Sequence, residues 1–309
     1  MLPEAVRTVV LPQLPGWSPD ATPRISALES GITNRNFRVE IGQERYVVRI
    51  AGANTALLGI DREAERAAAS SAHAAGVGPE VVAVFPELGC LVTRFVDGQP
   101  IPPEDLQREE VLALVVRSIR KIHGSSPIPG SFWVPSVVRS YEQVARERGV
   151  PIPRTYERLA PVLEEVERVL LLAPTPRRPC HNDLLNANLL RQGDHVWIVD
   201  YEYAGMGDPF FDLGNFSVNN GLSEEAQEVL LRLYFGTVTP WHRARLALMR
   251  IWSDLREGMW GAVQQAISQL DFDYVSYANR HLERCAEAAA DPRYRRWLDE
   301  AAGTDQDRR

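Results

Sequence analysis

Asp183 and Asn188 stand five positions apart in the run Cys180-His181-Asn182-Asp183-Leu184-Leu185-Asn186-Ala187-Asn188. A second carboxylate, Asp200, follows the apolar stretch Val196-Trp197-Ile198-Val199. A carboxamide oxygen and a carboxylate oxygen that converge from a loop and a strand end suit Mg²⁺, which takes hard oxygen ligands and shares its shell with water and substrate phosphates. The remaining carboxylate, Asp183, can orient and deprotonate an attacking hydroxyl. Asp and Asn also favour turns and caps, so neither residue carries this reading alone. It rests on their combination with His181, the apolar strand and the second Asp.

Such groups need a scaffold, and the composition supplies one. The 309 residues are 45% hydrophobic and 24% charged, with a net charge of −7. That apolar content is too high for a chain that stays disordered. A chain this long buries roughly three quarters of its extended surface on folding. The negative charge argues against nucleic acid as the partner. No apolar run reaches the roughly 18 residues of a membrane span, and Glu4 and Arg7 interrupt the apolar core that a signal peptide needs. Cys90, Cys180 and Cys285 match no zinc spacing and read as buried thiols of a reducing cytoplasm. Of 34 basic residues only Lys121 is lysine, so fixed positive charge must come from arginine.

The elements divide into two regions. Prolines 3, 12, 15, 19 and 23 break long helices at the start. Alternating, β-branched stretches at 25–28, 37–41 and 45–50 predict three antiparallel strands. A helix follows over 61–75, with Asp61 capping it and Gly76 ending it. Two further strands are predicted at 81–85 and 90–95. Beyond them helical patterns dominate, at 103–123, 141–148 and 156–172, with four more after Ser223. The expected class is α+β, with residues 1–96 as a small lobe and 97–309 as a larger, mainly helical one.

With these residues in place the chain resembles the choline/ethanolamine kinase and aminoglycoside phosphotransferase superfamily, most closely the bacterial choline-kinase-like proteins. The likeness runs from about Ser26 to Leu282. It is carried by His181-Asn182-Asp183-x4-Asn188, by Val199-Asp200-Tyr201-Glu202-Tyr203-Ala204-Gly205 and by Phe211-Asp212-Leu213-Gly214-Asn215. It implies a bilobal protein-kinase-like fold, a small antiparallel-sheet lobe with one helix covering ATP, and a mainly helical catalytic lobe. By position, Asp183 would be the catalytic base, His181 would brace its loop, Asn188 and Asp200 would hold Mg²⁺, and Asp212 would be structural.

The resemblance also places the nucleotide. Gly31-Ile32-Thr33-Asn34 looks like the Gly-x-Thr-Asn turn that covers phosphates, so Gly31, Thr33 and Asn34 join the ATP site. Arg49 would be the phosphate-facing cation, as in choline-kinase-like proteins, where protein kinases have lysine. Its carboxylate partner is Glu65, with Glu63 as fallback. Thr93 to Val96, including Phe95, would be the strand that meets adenine.

For the acceptor, the pattern of choline kinases points to a cage for a quaternary ammonium, which aromatic faces and negative charge recognise. Trp260 and Tyr277 match two cage positions. The other cage Trp falls on Glu257, and a carboxylate expected downstream of Asp212 falls on Asn219. Glu257 is therefore read as a relocated negative charge. The implied activity is transfer of the γ-phosphoryl group of ATP to an amino-alcohol, choline or ethanolamine. An aminoglycoside or thiamine kinase of the same fold, and a pseudokinase binding module, are the competing readings; the presence of base, metal ligands and strand cation argues against the last. The oligomeric state has no signature in the sequence.

Overall fold

The computed structural model describes residues 2–28, 34–52, 54–268 and 270–303. Strands β1 (Arg24–Leu28), β2 (Arg35–Ile41), β3 (Glu44–Ile50), β4 (Val81–Phe85) and β5 (Cys90–Arg94) form one antiparallel sheet in the order β1-β2-β3-β5-β4. Helix α1 (Arg62–Ala74) is inserted between β3 and β4. The Asp61 carboxylate accepts the N–H groups of Glu63 and Ala64 at its start, and Gly76, at φ +70°, follows its end. The cap and the stop are those the sequence predicts.

Side chains alternate across a strand, and the two faces of this sheet have different tasks. Phe37, Val39, Ile41, Tyr46 and Val48 are buried in a core with Leu2, Val6, Val10, Leu11 and Leu14. The proline-rich start of the chain is thus a lid over one sheet face, anchored by the Tyr46 hydroxyl, which donates to the Pro15 carbonyl at 2.7 Å. Prolines there shorten the helical turns, and the apolar residues between them do the packing. On the opposite face Asn36, Val47, Arg49, Leu91 and Thr93 line a cleft.

The rest is mainly helical: α2 (Glu109–His123), α3 (Val134–Glu147), α4 (Arg154–Leu172), α5 (Pro209–Asn219), α6 (Glu224–Phe235), α7 (Pro240–Ile267), α8 (Tyr274–Ala289) and α9 (Tyr294–Ala301). Small strand pairs carry the chemistry-bearing loops. β6 (Gln99–Pro100), β8 (Leu189–Gln192) and β9 (His195–Ile198) form one sheet in the order β6-β8-β9, and β7 (Arg178–Cys180) pairs with β10 (Gly205–Gly207).

The starts of α2 and α3 differ from the sequence reading, and α5 is a helix it did not predict. Helix α2 begins at Glu109 because Arg108 is extended (φ −93°, ψ 130°); the residues before it make only a short 3-10 turn. Helix α3 begins at Val134, since Pro135 sits in its first turn, where its missing N–H costs nothing. Helix α5 has no polar face, because nearly all of it is buried, so it shows no helical period. Helices α7 and α8 pack closely at glycine: a Cβ on Gly258 would lie 2.7 Å from Leu282 Cγ, and one on Gly261 would lie 3.0 Å from Tyr277 Cδ1. No helix among the described residues is long and apolar enough to cross a membrane.

Candidate active site

The loop between β7 and β8 is fixed from beneath. Asp212 on α5 accepts the backbone N–H of His181 at 2.9 Å and of Asn182 at 2.6 Å. His123 Nε2 lies 2.8 Å from the same carboxylate, and its Nδ1 lies 2.6 Å from the Tyr234 hydroxyl. Burial works to raise the Asp212 carboxyl, but the hydrogen bond from His123 and the amide of His181 hold it below the ordinary carboxylate value. Asn215 accepts from Leu184 N–H at 2.7 Å. His123, Cys180 and Asp212 cluster tightly enough for a metal, yet both Asp212 oxygens already accept hydrogen bonds, from His181, Asn182 and His123, which makes the cluster a brace.

Backbone geometry is unusual at two points. Asn182 (φ +64°) and Asp200 (φ +66°) occupy the left-handed region, which non-glycine residues enter where surrounding bonds compel them. The Asn182 side chain donates to the Tyr203 carbonyl at 3.0 Å. His181 receives the Asp183 N–H at Nδ1 (3.2 Å) and lies 2.9 Å from the Val199 carbonyl through Nε2. Since Nδ1 accepts, the proton sits on Nε2. The imidazole ties the Asp183 loop to the residue before Asp200, as a brace should.

Asp183, Asn188 and Asp200 line the same cleft. The Asn188 amide nitrogen donates to the Asp183 carbonyl at 2.9 Å, which leaves its carboxamide oxygen as the uncommitted end. Arg49 pairs with Glu65 and also lies 3.2 Å from Asp200 and 3.6 Å from Glu202. Glu65 is therefore the partner of Arg49, and the fallback Glu63 is an exposed residue paired with Arg66. Arg62 adds a second guanidinium, 2.8 Å from Glu65 and 3.6 Å from Glu202. Three carboxylates thus face two guanidinium groups. Burial and the neighbouring Asp200 push the Glu202 carboxyl well up. This surplus of oxygen ligands and negative charge, with the Asn188 carboxamide lining the same cleft, fits a divalent cation that Asn188 and Asp200 would hold.

Other ATP-site expectations fare differently. Gly31 and Thr33 lie outside the described residues. Asn34 is buried and donates to Glu202 Oε2 at 2.8 Å. Thr93 and Phe95 line the cleft, but the Phe95 N–H is already given to the Arg45 carbonyl at 2.9 Å. That leaves the carbonyl and the ring of Phe95 toward the cleft, and Arg38 lies over the ring at 4.5 Å.

At the helical end of the cleft, Trp260 and Tyr277 come together as expected, with ring centroids 5.6 Å apart. The Trp260 indole N–H donates to the Tyr203 hydroxyl at 3.0 Å. Glu257 lines the cleft but is not a lone negative charge. Arg256 Nη1 lies 2.5 Å from its Oε1, and the Tyr277 hydroxyl donates to its Oε2 at 2.7 Å. The same Nη1 donates to Asp183 Oδ1 at 3.1 Å. Arg256 is 1% exposed, its guanidinium lies 4.3 Å over the Tyr203 ring, and its Nε and Nη2 have no hydrogen-bond acceptor among the described residues. Burial raises the Asp183 carboxyl and the Arg256 charge opposes that, leaving it above the ordinary carboxylate range.

Sequence reasoning missed Arg256, Glu202, Tyr203 and Asn215. Glu202, Tyr203 and Asn215 stand inside motifs already singled out. Arg256 had only its position beside Glu257 to mark it.

Known proteins resemble this chain over most of its length. Residues 24–248 match the phosphotransferase enzyme family. The LicA protein of Haemophilus influenzae is 27% identical over 259 residues, covering 79% of this chain and 75% of that protein. Human ethanolamine kinase 2 is 28% identical over 313 residues, covering 90% and 78%. The crystal structure of a choline/ethanolamine kinase family protein from Mesorhizobium loti superposes with a TM-score of 0.82 at 32% identity, covering 94% of this chain and 96% of that one. The chain accordingly belongs to the phosphotransferase enzyme family and, within it, to the choline/ethanolamine kinase family of protein-kinase-like fold, and is a phosphotransferase whose acceptor is an alcohol.

Proposed function

We propose that the protein is an ATP- and Mg²⁺-dependent kinase that phosphorylates the hydroxyl of a small amino-alcohol, of the choline or ethanolamine class. The observation that carries this reading is the sharing of one cleft by Arg49, Asn188, Asp200, Asp183, Trp260 and Tyr277. In this reading residues 1–96 carry the nucleotide and residues 97–309 the acceptor. Three buried free thiols suit a reducing compartment, and the proposal places the enzyme in the cytoplasm.

Asp183 is assigned as the base: it accepts the proton of the acceptor hydroxyl while the γ-phosphoryl group transfers in line. A carboxyl held above its ordinary range is the better proton acceptor for an alcohol. Asn188 and His181 hold the Asp183 backbone in place, so the carboxylate needs no reorganisation during the reaction. Arg49, kept in position by Glu65, faces phosphate with a planar fork. Asn188 and Asp200 would hold Mg²⁺, which, when bound, offsets phosphate charge. Trp260 and Tyr277 offer aromatic faces to the acceptor's cation.

The test is a phosphorylation screen of the purified protein over choline, ethanolamine, thiamine and several aminoglycosides, read by product mass. Phosphocholine or phosphoethanolamine is the expected product. Turnover of only thiamine or aminoglycosides overturns the acceptor assignment, and absence of ATP consumption with all of them overturns the kinase reading.

A further inference from the structure

The wall of the acceptor site is built for hydrogen bonding where a quaternary-ammonium cage needs a third aromatic face. Glu257 is 3% exposed yet lines the cleft. Each of its oxygens has taken one donor, Oε1 from Arg256 and Oε2 from Tyr277. A carboxylate has about four lone-pair sites, so each oxygen can accept one more hydrogen bond. The Arg256 charge cancels much of the long-range attraction of Glu257, so what the carboxylate offers is directional acceptance more than bare negative charge. Only a cation that carries N–H can use it, because a quaternary ammonium has nothing to donate.

Location supports the assignment. One nitrogen, Arg256 Nη1, holds both Glu257 and Asp183. An alcohol whose hydroxyl reaches Asp183 therefore brings a nearby amine against Glu257. The Trp260 indole N–H is already given to Tyr203, so the two rings beside Glu257 provide faces and no competing donor.

We propose that Glu257, held by Arg256 and Tyr277, sorts acceptors by the number of N–H groups on their ammonium, favouring a primary amine over its methylated forms. This rests on the amino-alcohol reading above. Each methyl added to the nitrogen removes a donor and brings a methyl group against the carboxylate. Hydrogen bonds to charged groups are worth enough for roughly a tenfold to hundredfold preference between the ends of the series.

The experiment measures kcat/KM of the full-length protein for ethanolamine, N-methylethanolamine, N,N-dimethylethanolamine and choline, for wild type and Glu257→Gln. Wild type is expected to lose efficiency stepwise along the series. Glu257→Gln is expected to lose most with ethanolamine and least with choline, flattening the series, while its KM for ATP and its thermal midpoint report an intact fold. Wild-type efficiency with choline equal to or above that with ethanolamine overturns the inference and leaves the amino-alcohol reading standing. Equal losses for all four acceptors in Glu257→Gln also overturn it, because that is the signature of a structural residue. No turnover of any of the four overturns the amino-alcohol reading, and this inference with it.

Discussion

The Asp212 carboxylate accepts the backbone N–H of Asn182 at 2.6 Å, joining α5 to a loop 30 residues earlier in the chain. Its other oxygen takes the His181 N–H and lies beside His123. One buried side chain thereby orders the residue immediately before the proposed base. Asp212→Ala leaves two buried N–H groups unpaired, and the expected loss is about 3 kcal/mol or more, measured by urea unfolding. A loss too small to detect would mean that the loop holds itself.

The same residue has a pH signature. Its folded carboxyl lies below the ordinary carboxylate value, so the ionised form is favoured by folding. The stability it contributes is present above that value and is lost as pH falls from about 4 through the folded pKa. Unfolding free energies taken from pH 7 down to pH 3 are expected to fall less steeply at the acid end in Asp212→Asn than in wild type. Parallel acid limbs would show that other carboxylates govern acid unfolding.

Asp183→Asn removes the proton acceptor and keeps the shape. A positioned general base contributes roughly 10²- to 10⁴-fold, and kcat is expected to fall within that range. Nucleotide affinity, read by calorimetry, is expected to stay within a few-fold of wild type, since Arg49, Asn188 and Asp200 are untouched. Near-normal turnover would remove Asp183 from the mechanism.

The charge pair on the sheet side separates two carboxylates of α1. Glu65 is buried against Arg49 and Arg62, whereas Glu63 is exposed and paired with Arg66. Glu65→Gln is expected to cost about 2 kcal/mol or more and to raise the KM for ATP, because Arg49 loses its anchor. Glu63→Gln is expected to change neither unfolding nor ATP kinetics measurably. Equal behaviour of the two variants would detach Glu65 from the nucleotide site.

These residues differ in how visible they are in sequence. His181, Asp183 and Asp200 lie on loops and Asn188 ends a short 3-10 turn, where a polar residue among apolar strands stands out. Glu65 could be reached by counting back from Gly76, because α1 has a cap, a stop and one buried face. Arg256 was hidden by its surroundings. Helix α7 is buried over most of its 28 residues, so no polar face marks its direction, and nothing local shows that Arg256 points into the site beside Glu257. Leu2, Val6, Val10, Leu11 and Leu14 were hidden for the opposite reason: the prolines between them signal breaks and mask the apolar face that covers the sheet. Partners far apart in the chain, such as Arg256 and Asp183, are set by packing that local pattern does not encode.

Gly258 tests how the acceptor wall is positioned. It lets α8 approach α7 so closely that an added Cβ would lie 2.7 Å from Leu282 Cγ and 2.8 Å from its Cδ2. Gly258→Ala must push α8 outward, at about 1–3 kcal/mol for an overpacked contact. Helix α8 carries Tyr277, whose hydroxyl holds Glu257 and whose ring stands beside Trp260. Outward movement therefore loosens the acceptor site and leaves the nucleotide end alone. The expected result is a KM for the acceptor raised several-fold, with the KM for ATP unchanged. A rise in both, or in ATP alone, would show that α8 does not set the acceptor wall.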